Sequence, residues 1–296
     1  MSLRRYLQLD VFAHRIGAGN PLAVVFDAQG LDDAAMQSFA AWMHLPETVF
    51  LLPPGPGADY RARIFTPTRE LDFAGHPSVG AAWAVLDAGR VAPQRDALVQ
   101  ECAAGQLPVR IVHDATGPRV SVRTPRARRI ERAGQDDAAR LDAALRGLAL
   151  ADRATGALAP ALWDNGVRWW LAEAGDARAL REWRPDPAVL AAIADLGGDA
   201  LGLAVFAAGD VPGCARTVRA FCPGDGFAED PVTGSANAAI ASALLEAGRL
   251  RAGEGYCASQ GREVGRDGRV ELRVDEDAAV WVGGRVQAVI RGSVEW

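Results

Sequence analysis

Glu47, His76 and Asp230 are the residues whose types suit the transfer of a proton, and two of them lie in strings that look alike. Ala74-Gly75-His76-Pro77-Ser78-Val79-Gly80 aligns with Ala228-Glu229-Asp230-Pro231-Val232-Thr233-Gly234, pairing His76 with Asp230 and Gly80 with Gly234. Each string runs into an alanine-rich apolar stretch that ends at Gly89-Arg90 or Gly248-Arg249. The shared pattern reads as a proline suited to a helix's first turn, a glycine a few residues on, and a closing glycine at the C-cap. A glycine near a helix start costs up to roughly 1 kcal/mol against alanine, so Gly80 and Gly234 are expected where something approaches the backbone closely. A helix N-terminus offers unpaired N–H groups and a positive dipole end, which suits a carboxylate. Two such ends, one per half, could grip one small acid. Taken singly, the same residues also read as an ordinary N-cap at Asp230, a turn histidine at His76 and plain loop glycines; the repetition favours the first reading.

Glu47 gains its interest by comparison. It precedes the strand-like run Thr48-Val-Phe-Leu-Leu52, and the second half offers Leu203-Ala-Val-Phe206. Superposing Val49-Phe50 on Val205-Phe206 sets Glu47 opposite Leu203, so the carboxylate has no counterpart. A solvent-facing glutamate at a strand start would look the same. A duplicated scaffold that differs by one acid is nevertheless what a one-base active site would show.

The composition excludes other chemistries. No lysine occurs and all 32 basic residues are arginine, which rules out a lysine Schiff base, a pyridoxal phosphate anchor and a Walker A loop. No G-x-G-x-x-G opens a helix after a strand, and no H-E-x-x-H occurs. Net charge is -5, and the most basic run, Arg126 to Arg132, is followed at once by Asp136 and Asp137, so it reads as a solvated linker and nucleic acid is not an expected partner. No apolar run approaches the ~18 residues of a membrane span, and the N-terminus lacks a signal peptide's apolar core, so a cytoplasmic protein without membrane contact is expected. The four cysteines, Cys102, Cys214, Cys222 and Cys257, form no C-x-x-C pair and read as buried or half-buried free thiols.

The elements that must position these residues follow from periodicity. The 296 residues, 49% of them hydrophobic, suit two domains of about 150 residues. Leu7 to Phe12 and Leu22 to Phe26 read as strands, followed by a helix capped by Asp32 or Asp33 with Met36, Phe39, Ala40 and Met43 on one face. In the second half, Pro185-Asp-Pro187 starts a helix with Leu190, Ile193, Ala194 and Gly197 on one face. Tyr60 to Phe65 and Arg216 to Phe221 are strands leading into the two strings. The helices Ala81 to Ala88 and Ala236 to Ala247 are small or apolar nearly all round and belong inside a core. Strands follow each: Leu98 to Cys102, Leu107 to Val112 and Val120 to Arg123 after the first; Tyr256 to Ser259, Val270 to Val274 and a hairpin of Ala279 to Val282 with Val286 to Ile290 after the second. Between the halves, Arg126 to Pro160 holds one amphipathic helix on Leu141, Leu145 and Leu148. The domains are therefore 1–125, with 283–296 packing there, and 126–282.

Together these residues resemble the PhzF-like family, named after the phenazine-biosynthesis isomerase, within the diaminopimelate epimerase superfamily. The matching strings are Asp10-Val-Phe12, Gly19-Asn-Pro-Leu-Ala-Val-Val25, Glu47-Thr-Val-Phe50, Phe65-Thr-Pro67, Phe73-Ala-Gly-His-Pro77, Glu229-Asp-Pro-Val-Thr-Gly-Ser-Ala236 and Ser259-Gln-Gly261 with Arg266. The resemblance implies an α+β fold of two similar domains, each a curved, barrel-like mixed sheet around a central helix, usually a homodimer, with the active site in the cleft between domains. It makes the glutamate at Glu47 the general acid/base, His76 and Asp230 its assistants, and Gly234 with Ser235 the carboxylate site. Asn20, Gly75, Ser78, Gly80 and Thr233 complete the expected substrate-binding set, with no metal and no cofactor. The superfamily's two catalytic cysteines are replaced here by Gly75-His76 and Glu229-Asp230, which disfavours a two-thiol racemase. Pro46 departs from the family's usual Ser or Thr before the glutamate, removing a hydroxyl and an N–H that could orient Glu47. The expected function is a cofactor-independent isomerase moving a proton, and so a double bond, on a small unsaturated or cyclic carboxylic acid. An amino-acid epimerase, or a non-catalytic small-acid or partner-binding protein, would fit the same scaffold.

Overall fold

The structure is a computed structural model that describes residues 2–131, 140–141, 145, 158–196, 198, 200–223 and 227–296. The chain divides into two compact units, residues 1–123 with 283–296, and residues 124–282.

In the first unit, strands β1 (Leu3–Val11), β2 (Asn20–Val25), β3 (Glu47–Leu52), β4 (Tyr60–Phe65), β5 (Glu70–Leu71), β6 (Ala97–Cys102), β7 (Gly105–Asp114) and β8 (Gly117–Arg123) are joined by helices α1 (Asp33–Met43) and α2 (Gly75–Asp87). The pairing is mixed: β2 with β3 and β4 with β6 are parallel, while β1–β2, β3–β4, β6–β7 and β7–β8 are antiparallel. The last strand, Val286–Glu295, runs antiparallel to β1 with Val11 opposite Val286. The expected terminal hairpin does not form, because Arg285 alone separates this strand from Val280–Gly284 and one residue is too few for a hairpin turn. Asp32 caps α1, accepting from the Ala35 N–H at 2.8 Å, and Met36, Phe39 and Ala40 bury the helix against Phe50 and Phe65. Helix α2 lies against β1, β2, β3, β4, β6 and β8 and is buried on nearly every side, as its small residues require.

The second unit repeats this order with β9 (Arg128–Arg129), β10 (Ala161–Asp164), β11 (Arg168–Glu173), helices α3 (Ala177–Glu182) and α4 (Pro187–Leu196), β12 (Gly202–Ala208), β13 (Arg216–Cys222), β14 (Phe227–Asp230), α5 (Gly234–Glu246), β15 (Gly255–Gln260), β16 (Gly268–Val274) and β17 (Val280–Gly284). Again β11–β12 and β13–β15 are parallel, and β10–β11, β12–β13 and β15–β16 antiparallel. Leu141 and Leu145 are buried in this unit's core with Leu162, Leu190 and Ile193. Leu148 and Gly197, also expected on helix faces, lie outside the described residues. Among the described residues no helix is long and apolar enough to cross a membrane.

Superposing the units by strand pairing corrects two alignments. Phe65 faces Thr48, and its counterpart Phe221 faces Leu203. Glu47 therefore corresponds to Gly202, not Leu203. The Val-Phe pairs mislead because a one-residue slip turns a strand's faces over: Phe50 and Val205 are the residues that pack on the helical layer of their units. The helices α2 and α5 each have 13 residues, so Gly75, not Gly80, matches Gly234, and the string alignment is five residues out of register. Asp230 faces Ala220 as Leu71 faces Ile64, which makes Leu71 the counterpart of Asp230 and Ser235 that of His76. Proline cannot set the register, since Pro77 sits inside the first turn of α2 while Pro231 precedes α5, and both places tolerate it.

One further expectation fails. Cys214 and Cys257 form a disulfide, with Cα atoms 4.4 Å apart, while Cys102 and Cys222 are buried and not disulfide-bonded. The parallel pairing of β13 with β15, continued by the Ala215 N–H donating to the Cys257 carbonyl at 2.8 Å, brings together two cysteines 43 residues apart.

The strand register generates a stability test. A Cβ at Gly202 would collide with the Phe221 carbonyl oxygen, whereas one at Gly80 would meet the Leu22 side chain and come within 3.1 Å of Val11 Cγ2. Backbone cannot retreat as a side chain can, so Gly202→Ala should destabilise by about 2 kcal/mol or more and Gly80→Ala by about 1 kcal/mol. Urea unfolding midpoints read both, and a Gly202→Ala variant as stable as wild type would contradict the register.

Candidate functional site

In the first unit, Glu47 opens β3 and His76 is the second residue of α2, which packs on β3. Glu47 Oε2 lies 3.2 Å from His76 Nε2, with the two side chains 16% and 7% exposed. Burial lowers the His76 pKa to about 3, against the opposing effect of a hydrogen bond to the Pro21 carbonyl, so the ring is neutral at physiological pH. A neutral imidazole carries one N–H. His76 Nε2 makes no hydrogen bond in this geometry, so the N–H given to Pro21 is on Nδ1. Nε2, the nitrogen turned toward Glu47, is then an acceptor. A proton on the Glu47 carboxyl turns the 3.2 Å contact into a hydrogen bond, and without it two lone pairs face each other. Pro21 is the second residue of β2, next to the buried Asn20, and the turn before them is held by Asp10 accepting from the Gly19 N–H at 3.0 Å.

Gly75 opens α2 beside His76, but two other expected substrate contacts lie elsewhere. Ser78 is fully buried and bound by Gln100 Nε2 at 2.8 Å, with Tyr60 donating to Gln100 Oε1 at 3.1 Å, so its hydroxyl ties the helix to the neighbouring strands. Gly80 is the sixth residue of α2, where the close approach is made by Leu22 and Val11 of this same unit. Both serve the seat of the helix, and Gly80 is small for a packing reason that an isolated sequence string does not reveal.

In the second unit, Asp230 ends β14, which is fastened to β13 by a bidentate pair: Arg219 donates to both Glu229 oxygens at 2.9 and 2.7 Å and to the Leu180 and Trp183 carbonyls. Thr233, the N-cap residue of α5, donates from Oγ1 to Asp230 Oδ2 at 2.6 Å. Gly234 and Ser235 are the first two residues of α5. Trp169 Nε1 donates to Ser235 Oγ at 3.0 Å and Asn165 Nδ2 to the Ser235 carbonyl at 2.9 Å. A hydroxyl that accepts from an indole keeps its own hydrogen for donation. No side-chain acceptor caps α2 or α5, in contrast to α1 and α3, which Asp32 and Asp176 cap at 2.8 Å. The first N–H groups of the two central helices are thus left for a partner other than a capping side chain. Trp169, Asn165 and Arg219 gave no signal in the sequence. Gln260 stood in the Ser259-Gln-Gly261 string without a role; it is fully buried and binds Thr233, Asn237 and Asp230.

A family model described as phenazine biosynthesis-like protein, PhzC-PhzF, matches residues 9–292. The chain belongs to this family. A trans-2,3-dihydro-3-hydroxyanthranilate isomerase of Pseudomonas aeruginosa is 31% identical to it, covering 97% of this chain and 94% of the relative. A Schizosaccharomyces pombe protein named antisense-enhancing sequence 1 is also 31% identical, over 99% of both chains. Among solved structures, a predicted epimerase from Pseudomonas aeruginosa is 32% identical with a TM-score of 0.77, covering 98% of this chain and 99% of that one. The fold is α+β and diaminopimelate epimerase-like, and this PhzC-PhzF member is an isomerase like the relatives so named.

The buried neutral imidazole has a thermodynamic consequence. The unfolded chain takes up a proton near pH 6.5 that folded His76 refuses until about pH 3, so stability falls as pH drops through that window. His76→Gln should flatten this limb, recovering on the order of a few kcal/mol of the loss at pH 4. Chemical denaturation at pH 7, 5.5 and 4 checks it, and parallel curves for the two proteins would show that His76 is not buried neutral.

Proposed function

We propose that this protein catalyses a cofactor-independent proton shift, and so a double-bond shift, on a small unsaturated or cyclic carboxylic acid, with Glu47 as the group that carries the proton. The observation that carries the reading is the contact of Glu47 with the neutral His76, at a position whose counterpart, Gly202, has no room for any side chain. As Glu47 takes a proton from one carbon, the new O–H finds an acceptor in His76 Nε2, and the hydrogen bond to Pro21 fixes the tautomer that leaves this nitrogen open. The same carboxyl then returns the proton to a second carbon, so no net proton is gained or lost. General acid–base catalysis of this kind contributes typically ~10²–10⁴-fold.

The acid group is assigned to the start of α5, the backbone N–H groups of Gly234 and Ser235, with the Ser235 hydroxyl aimed by Trp169; Gly75 offers the equivalent uncapped helix start within its own unit. Asp230, held by the Thr233 hydroxyl at 2.6 Å, is assigned as a second polar group toward the substrate. Asn20 shapes the approach to His76 through its neighbour Pro21. The homodimer implied by the family resemblance belongs to this proposal, and sedimentation would read it directly. Trans-2,3-dihydro-3-hydroxyanthranilate, the acid in the name of the Pseudomonas relatives, is the first substrate to assay.

With that acid, or with any substrate found by screening small unsaturated acids, Glu47→Gln should lower kcat by ~10²-fold or more while leaving circular dichroism and acid binding near wild type. A variant that keeps more than about a tenth of wild-type kcat, against that expected loss, would remove Glu47 from the role.

A further inference from the structure

The duplicated scaffold separates what holds a helix from what serves a reaction. In both units a buried glutamine from the strand after the central helix grips the helix's fourth residue: Gln100 binds Ser78 at 2.8 Å, and Gln260 accepts from Asn237 at 2.9 Å. That clasp is common to both units and is structural. In the first unit Gln100 continues to the Tyr60 hydroxyl, whereas in the second the clasp reaches the helix N-cap and an acid. There the N-cap residue is Thr233, where α2 has Ala74, and the residue facing β13 is Asp230, where the first unit has Leu71.

The direction of each bond in this extension follows from donors that cannot accept. The Thr233 backbone N–H lies 3.1 Å from the Gln260 side chain, so the atom it meets must be the amide oxygen. The other end of that amide is therefore the NH₂ group, which donates to the Asp230 carbonyl at 3.1 Å and to Thr233 Oγ1 at 2.8 Å. Its two hydrogens are thereby used. Thr233 Oγ1, already receiving one hydrogen, lies 2.6 Å from Asp230 Oδ2, and its own hydrogen is directed there.

From this chain of bonds we infer that Gln260 and Thr233 are positioning residues that hold Asp230 Oδ2 as a hydrogen-bond acceptor, so that Asp230 works as the ionised, proton-attracting partner of the site. Gln260 sets which way the Thr233 hydroxyl points, and the hydroxyl favours the charged form of the carboxylate it meets. The inference deepens the proposed function by giving its second acid a defined state, a carboxylate fed by a fixed donor. It rests on that reading for the word "site", but the ionisation itself can be measured without any substrate.

The strands and the segment around Asp230 carry Glu229 with its partner Arg219 on β13, Arg216 at the other end of β13, and, after β15, Arg266, Glu263 with its partner Arg181, and the pair Arg262 with Asp267. β12 and β15 contribute no Asp, Glu, Arg or His. None of these groups is altered by a change at Thr233. Carbon-13 NMR of aspartate-labelled protein follows each Asp carboxyl with pH, and the signal missing in Asp230→Asn identifies Asp230. Thr233→Val keeps the β-branched shape at a residue whose backbone is extended and removes only the donor. It should raise the Asp230 titration midpoint by about one pH unit, a tenfold change. Thr233→Ser should restore the wild-type midpoint, and Gln260→Met should shift it upward as well. Should Gln260→Met fail to fold, the two Thr233 variants decide alone. A Thr233→Val midpoint equal to wild type would overturn the inference and leave the extension as a clasp only. Loss of the proposed function through an active Glu47→Gln would leave this titration result unaffected, so the two failures can be told apart.

Discussion

A helix made of small residues on nearly every side is stable only inside a shell of strands, and that constraint fixes the helix starts to which the chemistry is proposed to belong. α2 and α5 are buried along most of their length, which requires close approach by neighbouring strands, the absence of a side chain at Gly80, and a glutamine clasp for the polar residue in each first turn. A helix held so firmly has a fixed start. Gly75-His76 and Gly234-Ser235 are therefore presented by rigid backbone, with no capping side chain to occupy their N–H groups. A site on such elements is held more closely than one built on loops.

The duplicated scaffold supplies its own control. The same mixed ladder, the same length of central helix and the same glutamine clasp occur in both units, so these features belong to folding. Glu47 against Gly202, His76 against Ser235, Leu71 against Asp230 and Ala74 against Thr233 are where the units differ in reactive groups. Three of these differences add a polar or titratable side chain on one side only, and the fourth exchanges an imidazole for a hydroxyl. The first unit gains a carboxyl next to a buried neutral imidazole, and the second a carboxylate reached by a threonine hydroxyl.

Much of this was legible in the sequence. The central helices, the paired strands leading into them and the apolar face of α1 follow from periodicity and capping, and Asp32 caps where its type and place require. The repeat was legible too, but its register was not. Residue identity aligned His76-Pro77 with Asp230-Pro231, whereas the real equivalence is set by strand partners and helix length, which no short string encodes. For the same reason Gly80 looked like a ligand contact and is a contact with Leu22, and Ser78, expected among the substrate contacts, is fully buried and bound by Gln100. The Cys214–Cys257 bond escaped because it depends on a parallel strand pairing that joins distant segments. The cradle of Trp169 and Asn165 around Ser235 escaped likewise, since those residues lie some 66 and 70 positions away in the chain.

The central claim is that a carbon-bound proton passes through the Glu47 carboxyl. A proton held there between two carbons can trade with water, so turnover of trans-2,3-dihydro-3-hydroxyanthranilate, or of another acid the enzyme accepts, in D₂O followed by proton NMR tests it most directly. The account predicts product carrying solvent deuterium at a single carbon, made by the wild type and by the His76→Gln variant at reduced rate, and by Glu47→Gln at no more than about a hundredth of the wild-type rate. Product formed at the full rate by Glu47→Gln with the same deuterium pattern would contradict it.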